Sequence, residues 1–546
     1  MKDGSVQNAW HHLRWVLLIA VILSHVGFTL GHSRINPDES YQLGVSHSFS
    51  HGHNQTLKRV RAHDLSQGEY MGDLRTPPGY ALVQMASGGE YARSYWIDLV
   101  MDNLGGVVFF LSWFFILEAI GPFVGVLPRL IVWLFWLVFP ASLMGPLISG
   151  HSAGVISAAF FSAAIVFTLP VVQSKVSWRK AGALGVLSGL CYGVALIMRY
   201  AYWPLAAIIP LSLGFFGLRH RTKFMKAVGA GAVFFMVSGL ILMVLMLHNY
   251  HVGGSFTRSN PAPSDVITLS HLLYTIPFPA FTLGHMDDSF FNAVQPLKFN
   301  PALLLSVGII ALGAYSIVRL LRTRTTGATD SPEQTAHAVF QYISLLAVVT
   351  LVLVYLFLAW MSVSSSVHPY RGGWVALAEI RYYAPIYSFL LLGVALVFAR
   401  PLRKTIRPHF VIAGVAGVLL LACWIPRLTI RAQDMRTVAG TPKKAQVNPL
   451  IHYFSEMADS TPEQDIVLFD DTDSLFMRSI ALLVGLDVAR VDKESGFATS
   501  KPVAVIFYVS GDDHKWYLDS VSGEPLRKLP FRSGYIYQYA LNPPTG

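Results

Sequence analysis

Apolar residues along this chain gather in long runs separated by short polar intervals. Eleven runs stand out, near 13–30, 104–120, 129–148, 153–172, 182–198, 202–217, 227–247, 302–320, 339–361, 384–399 and 411–426. They approach or reach the roughly 20 residues that a helix needs to cross the hydrocarbon of a bilayer. The pattern predicts a polytopic α-helical membrane protein of about 11 transmembrane helices. The first run is followed by "GHSRIN", which has no small-x-small cleavage pattern, so it is expected to stay as an anchor.

Beyond residue 427 the pattern changes. "DIVLFDD" is strand-like, "SLFMRSIALLVG" helix-like and "PVAVIFYVS" strand-like again, which predicts a small C-terminal α/β domain. The expected organisation is a transmembrane domain over 1–426, with a long first outer loop at 31–103, and a second domain over 427–546. That first loop is far longer than ordinary connections, which points to function. Its "YARSYWIDLVMDN" reads as an interfacial helix leading into the second span, and "RTRTTGATDSPEQTAHA" reads as a flexible linker.

Composition and charge sharpen this picture. Of the 546 residues 53% are hydrophobic and 13% charged, against about 25% charged in soluble chains. In a soluble protein a net charge of +10 would raise the question of nucleic acid. Here much of the excess sits in short loops, "QSKVSWRK", "LRHRTKFMK", "RLLRTRTTG" and "RPLRKTIRP", which fall on one side if every run spans. Lys2 and Arg14 join them, and the positive-inside bias makes that side cytoplasmic. No nucleic-acid partner is expected. The N-terminus is then cytoplasmic, and 31–103, 249–301, 362–383 and 427–546 face outward. Cys191 and Cys423 both lie inside apolar runs, so neither a disulfide nor a thiol metal site is expected.

The outer segments hold the candidate chemistry. Asp38 and Glu39 follow Pro37 directly after the first run, where a carboxylate can act as a general base or help hold a divalent cation. Arg75 precedes the rigid corner "TPPGY", which ends in Tyr80; a guanidinium there suits bidentate phosphate binding. Arg381 and Tyr382 in "EIRYYAP", and Arg199 in "LIMRYAYWP", stand at helix ends where an arginine either snorkels or meets an anion. The plain structural alternatives are a solvated loop acid, a proline-marked helix entry and an interfacial anchor. "SHSFSHGH" and "HMDDSF" are histidine- and acid-rich but have no fixed metal-ligand spacing. There is no P-loop anywhere in the sequence.

Taken in order, the acidic pair after the first span, the Pro-Pro-x-Tyr corner and the "RYYAP" before a late span resemble the GT-C superfamily of polyprenyl-phosphate-sugar glycosyltransferases. The branch most similar includes the lipid A aminoarabinose transferase, the rhizobial galacturonosyltransferases and the protein O-mannosyltransferases. "HNYHVGGSF", with Asn249, resembles that branch's segment after the seventh span, and Arg93 its arginine before the second. The resemblance implies that Asp38, with Glu39 beside it, activates an acceptor hydroxyl. It implies that Arg75 and Arg381 hold the lipid phosphate. It adds Tyr80, Arg93, His151, Arg199, Asn249 and Tyr382 as substrate-binding candidates. Thr76 stands where the family often has lysine, and "ISGHSAG" offers His151 where many members have a second acid. A divalent metal ion is a candidate cofactor, with Glu39, His248 and His251 as its weak ligand candidates. The implied partners are a polyprenyl-phosphate-linked sugar, membrane lipids and a glycan, lipid or protein acceptor, at a bacterial inner membrane with the C-terminal domain in the periplasm. Two other classes stay open: a lipid or solute transporter or flippase, and a polysaccharide ligase or polymerase. Transporters commonly carry internal repeats and mid-membrane ionisable groups; here no repeat is visible and the candidate groups cluster at outer span ends.

Overall fold

A computed structural model describes residues 3–32, 37–72, 74, 77–88, 91–138, 152–173, 176–220, 224–256, 301–322, 331–363, 384–403, 465–469, 486–491, 493–494, 496–509, 515–531 and 534–543. The chain divides into two compact units. The first comprises 1–33, 99–245 and 260–437; the second comprises 34–98, 246–259 and 438–546.

The helices of the first unit lie over the apolar runs. They are α1 (Asp3–His32), α4 (Tyr91–Val124), α5 (Val126–Val138), α6 (Ser152–Val172), α7 (Trp178–Met198), α8 (Ile208–Arg219), α9 (Phe224–Gly253), α10 (Pro301–Arg322), α11 (Pro332–Val363) and α12 (Ala384–Ala395). Among the described residues, seven helical stretches are long and apolar enough to cross a membrane. The chain is thus a multi-pass membrane protein. The expected run at 411–426 and the end of the run at 129–148 lie outside the described residues. Three boundaries differ from the sequence reading. "YARSYWIDLVMDN" is no separate interfacial helix but the opening of the continuous α4, because nothing in it breaks the backbone ladder before Pro122. The run at 202–217 begins as a 3-10 turn, Tyr200–Leu205, where Pro204 lacks the N–H that an α-helix would use. The end of the supposed linker, from Pro332 onward, is the first turn of α11, since proline is at home at a helix start.

Lipid supplies no hydrophobic drive for helices to associate, so this unit is held by close packing and internal polar contacts. Trp113, Trp133 and Trp136 are fully buried and meet edge to face, with centroids 5.9 Å and 5.3 Å apart. Along α7, Gly185, Gly189 and Gly193 let α9 approach closely. A Cβ at Gly185 would come within 2.7 Å of the Ala230 carbonyl oxygen, and one at Gly189 within 3.0 Å of that of Phe234.

The second unit is built on a seven-stranded mixed sheet in the order β2-β1-β4-β3-β5-β7-β6. The strands are β1 (Thr56–Arg61), β2 (Asp64–Gly72), β3 (Asp465–Phe469), β4 (Asp487–Arg490), β5 (Val503–Val509), β6 (Arg527–Phe531) and β7 (Gly534–Leu541). The predicted strands at "DIVLFDD" and "PVAVIFYVS" are β3 and β5, while the predicted helix at "SLFMRSIALLVG" lies outside the described residues. The sheet reaches beyond 427–546: β1 and β2 come from the segment between α1 and α4, and β1 pairs in parallel with β4 at Val60 and Ala489. Buried Val60, Leu65, Ile466, Leu468, Val505, Phe507 and Tyr517 form its core. Full burial of each large side chain there contributes roughly 1.5–3 kcal/mol.

Two short helices between α1 and α4 complete the positioning: α2 (Pro37–Ser50) and α3 (Gly79–Gln84). Helix α2 packs against α3 and against β1.

Candidate functional site

Asp38 and Glu39 fall in the first turn of α2, directly after Pro37 at its start. Proline is favoured in a first helical turn, and negative side chains there meet the positive end of the helix dipole. The pair is therefore on a helix, not in a loop. Further along α2, Gln42, Leu43, Val45, Ser46 and Ser48 are buried, which anchors the helix.

The corner that follows is held by a buried polar network. Tyr80, with no exposed surface, donates its hydroxyl to Asp98 Oδ1 at 3.0 Å. Gln84 Nε2 donates to Tyr80 Oη at 3.2 Å and to the Ser94 carbonyl at 3.3 Å. Ser94 donates to Ser87 Oγ at 2.9 Å. The tyrosine ring and hydroxyl thus tie α3 to the first turns of α4, on which Arg93 is exposed. Arg75 and Thr76 lie outside the described residues, as do His151, Arg381, Tyr382, His285, Asp287 and Asp288, and the side chains of Asp38 and Glu39 are likewise not described.

The end of α9 contributes His248, Asn249 and His251. His248 Nε2 lies 3.0 Å from Gln55 Oε1, and the buried Asn249 donates through Nδ2 to the Phe256 carbonyl at 3.4 Å. Tyr250 stacks on Phe256 with centroids 4.7 Å apart. Gly254, at φ 69°, ends the helix in the left-handed conformation that glycine adopts at least cost. The "HNYHVGGSF" segment is thus a helix stop with its return held by Asn249. Among the described residues no group of three His, Cys, Asp or Glu side chains is placed to hold a metal ion.

No family model matches this chain, and no curated protein matches it in sequence. Among solved structures, the chain is similar to the crystal structure of ArnT from Cupriavidus metallidurans bound to undecaprenyl phosphate. The TM-score is 0.46 and the identity 13%, over 98% of each chain.

The histidine tract is folded rather than loose. His51 Nδ1 lies 2.8 Å from the His47 carbonyl and its ring 4.3 Å from that of His47. His53 stacks on Tyr70 with centroids 3.6 Å apart. Burial, and then the neighbouring His51, pushes the His47 imidazole below its ordinary value, so it is neutral at pH 7.

In the first unit, Arg199 is half-buried at the end of α7, on extended backbone with φ −148°. It precedes the 3-10 turn, where Trp203 Nε1 donates to the Leu196 carbonyl at 3.0 Å. Sequence reading missed a polar cluster in the same unit. His25, Thr29 and Asp102 are fully buried. His25 Nε2 lies 3.2 Å from the Asp102 carbonyl oxygen, and Thr29 donates to Asn103 Oδ1 at 2.8 Å. Gly106 makes room for the imidazole, since a Cβ there would stand 2.0 Å from Nε2. The available signal was ionisable side chains at helical spacing inside or beside apolar runs, which the sequence reading did not weigh.

Proposed function

We propose that the chain is a membrane glycosyltransferase that moves a sugar, with inversion, from a polyprenyl phosphate to an acceptor hydroxyl. The observation that carries the reading is the setting of the acidic pair. Asp38 and Glu39 open a helix that packs against the Gly79–Gln84 corner helix, within a unit that holds no complete candidate span among the described residues. An acid pair fixed on a packed helix has the rigidity that a reacting group needs. The ordered resemblance of sequence motifs supports the same reading.

The chemistry asks for little more. A sugar leaving from a lipid phosphate departs with an anion that is already stable, so general acid catalysis is nearly superfluous. What is needed is a base for the acceptor proton and fixed cations for the departing charge. Asp38 takes the proton, Glu39 keeps the locality negative, and Arg75 and Arg93 of the same unit grip the phosphate. The sequence resemblance offers Arg199, Arg381 and Tyr382 as further phosphate ligands, and His151 as the group standing where relatives have a second acid. Tyr80 and Asn249 act by holding the corner and the helix stop in place. A divalent ion held by Glu39, His248 and His251 stays part of the proposal, and no step is assigned to it; among the described residues no group of three such side chains is placed to hold a metal ion. The protein then lies in a bacterial inner membrane with its N-terminus cytoplasmic and its C-terminal domain periplasmic.

The test is transfer from a radiolabelled polyprenyl-phosphate sugar by purified Asp38→Asn protein. Transfer is expected to fall about 10²–10⁴-fold, the usual worth of a general base, with the fold and lipid binding kept. Undiminished transfer rejects Asp38 as the base. Solute flux in the absence of any transfer favours the transporter class instead.

A further inference from the structure

The histidine tract contains a pair that the proposed reaction does not use. His47 lies in the last turn of α2, and His51 directly follows the end of the helix at Ser50. Side chains at i and i+4 share one side of a helix, and two histidines at that spacing can chelate one metal ion. The two rings lie side by side, with centroids 4.3 Å apart and planes inclined at 48°. The rise of a helix puts His47 about 14 Å along α2 from Asp38. The pair is thus at the far end of the helix from the acids, and it shares no ligand with Glu39, His248 and His251.

The backbone sets the chemistry of the second ring. The His47 carbonyl oxygen accepts from the His51 N–H at 3.2 Å, from His51 Nδ1 at 2.8 Å and from the Ser50 hydroxyl at 2.8 Å. A carbonyl oxygen only accepts, so His51 Nδ1 carries a proton, and in the neutral ring Nε2 is left with the lone pair. Metal-bound histidines have this arrangement: one ring nitrogen takes the ion while the other donates to a carbonyl or carboxylate. His47 Nδ1 is buried and has no hydrogen-bond partner among the described residues. Burial, and then the neighbouring His51, favours the neutral, ligating form of His47. His51 is exposed and His47 half-buried, so an ion can enter from water.

We propose that His47 and His51 bind a transition-metal cation of the Zn²⁺ or Cu²⁺ class at the end of α2. Two imidazoles supply part of the coordination shell and water supplies the rest; among the described residues no third His, Cys, Asp or Glu joins them. Imidazole nitrogen suits these ions, whereas Mg²⁺ and Ca²⁺ prefer oxygen ligands. An ion that bridges the two rings pins the last turn of α2 and the turn after it. There the Gly52 N–H donates to the Phe49 carbonyl at 3.1 Å and the His53 N–H to the Ser48 carbonyl at 2.8 Å.

The test uses the full-length protein in detergent, without an affinity histidine tag, titrated with Zn²⁺, Cu²⁺ or Mg²⁺ alone. Binding is expected to be tighter for Cu²⁺ than for Zn²⁺ and undetectable at the pair for Mg²⁺. Bound Cu²⁺ is expected to show electron paramagnetic resonance splitting from two nitrogen ligands, and saturating Zn²⁺ to slow amide exchange at Gly52 and His53. His47→Gln and His51→Gln are each expected to weaken Zn²⁺ binding at least about tenfold. His51→Gln alters an exposed side chain and keeps the Ser50 bond, so it is expected to fold as wild type does. His53→Gln, whose ring in the wild type stacks on Tyr70, is expected to leave Zn²⁺ binding unchanged. Zn²⁺ affinity that survives in His51→Gln, or that falls equally in His53→Gln, overturns the proposal. Amide exchange at Gly52 and His53 that saturating Zn²⁺ does not slow also overturns it.

Discussion

At the scale of single residues, the most heavily bonded acid in the described part of the second unit is Asp64. Its Oδ1 accepts from the Ser500 N–H at 2.9 Å, the Ser66 hydroxyl at 2.7 Å and the Ser66 N–H at 3.1 Å, and its Oδ2 from the Ser500 hydroxyl at 2.7 Å. The Ser500 and Ser66 hydroxyls, followed by the Ser500 N–H, hold this carboxyl well below the usual carboxylate range. The unfolded chain therefore binds more protons than the folded one across the window between the two pKa values. Stability from this group is complete above about pH 4, the unfolded value, and is lost as pH falls toward the folded one. Asp64→Asn is expected to speed amide exchange of Leu65, Ala498 and Ser500 at neutral pH. The gap from wild type is expected to close as pH falls below about 4. A constant gap across that range rejects the ionised carboxylate as the clamp. The sequence reading passed over Asp64: its four donors come from two segments more than four hundred residues apart in the chain, a relation that no local pattern carries.

At the scale of elements, what was legible and what was not have a common cause. The apolar helices α1, α4, α6, α7, α9 and α11 could be read directly, because lipid demands length and apolarity and both are local properties. Strands β3 and β5 were legible because buried parallel strands are apolar on both faces; in β5, Val503, Val505, Ile506, Phe507 and Val509 are all buried. Helix α2 was not legible. "PDESYQLGVSHSFS" has no dominant apolar stripe, and it is helical because α3 and β1 pack against it. Strands β1 and β2, "TLKRVR" and "DLSQGEYMG", are largely polar and take their form from pairing. The histidine tract and the asparagine of "HNYHVGGSF" could be located but not assigned, because their partners Tyr70, Gln55 and Phe256 follow from the fold. The glycines of α7 show the same limit, since nothing local in the sequence names the helix that they meet. With α9 backbone at 2.7 Å and 3.0 Å from Cβ atoms built at Gly185 and Gly189, larger side chains must push the helices apart. Gly189→Val is expected to destabilise the protein by about 1–3 kcal/mol, read as a lower thermal midpoint in detergent. Gly182→Val, where a Cβ meets nothing within 4 Å, is expected to leave the midpoint nearly unchanged, and equal losses in both would reject close approach as the cause.

At the scale of the whole molecule, the second unit joins the segment between α1 and α4 to the C-terminal segment through one sheet. A β1–β2 hairpin alone is marginal in water, because two strands bury too little to offset their ordering. Here the hairpin is completed from the far end of the sequence. Val60 pairs with Ala489, the Leu65 N–H donates to the Ala498 carbonyl at 2.8 Å, and the Ala498 N–H donates to that of Ala62 at 2.9 Å. Removing residues 465–546 takes away β3 to β7 and leaves Val60 and Leu65 without the core they pack into. Since α2 packs on β1, the loss reaches the helix that carries Asp38 and Glu39. A chain ending before residue 465 is therefore expected to insert its helices yet expose 34–98 to limited proteolysis, with cuts between Thr56 and Gly72. Its sugar transfer is expected to fall as far as that of Asp38→Asn, although the deleted segment contains none of the residues proposed to touch substrate. A truncated protein whose residues 34–98 resist protease would mean that the hairpin and α2 fold on their own. The C-terminal strands would then serve some end other than holding the acidic pair.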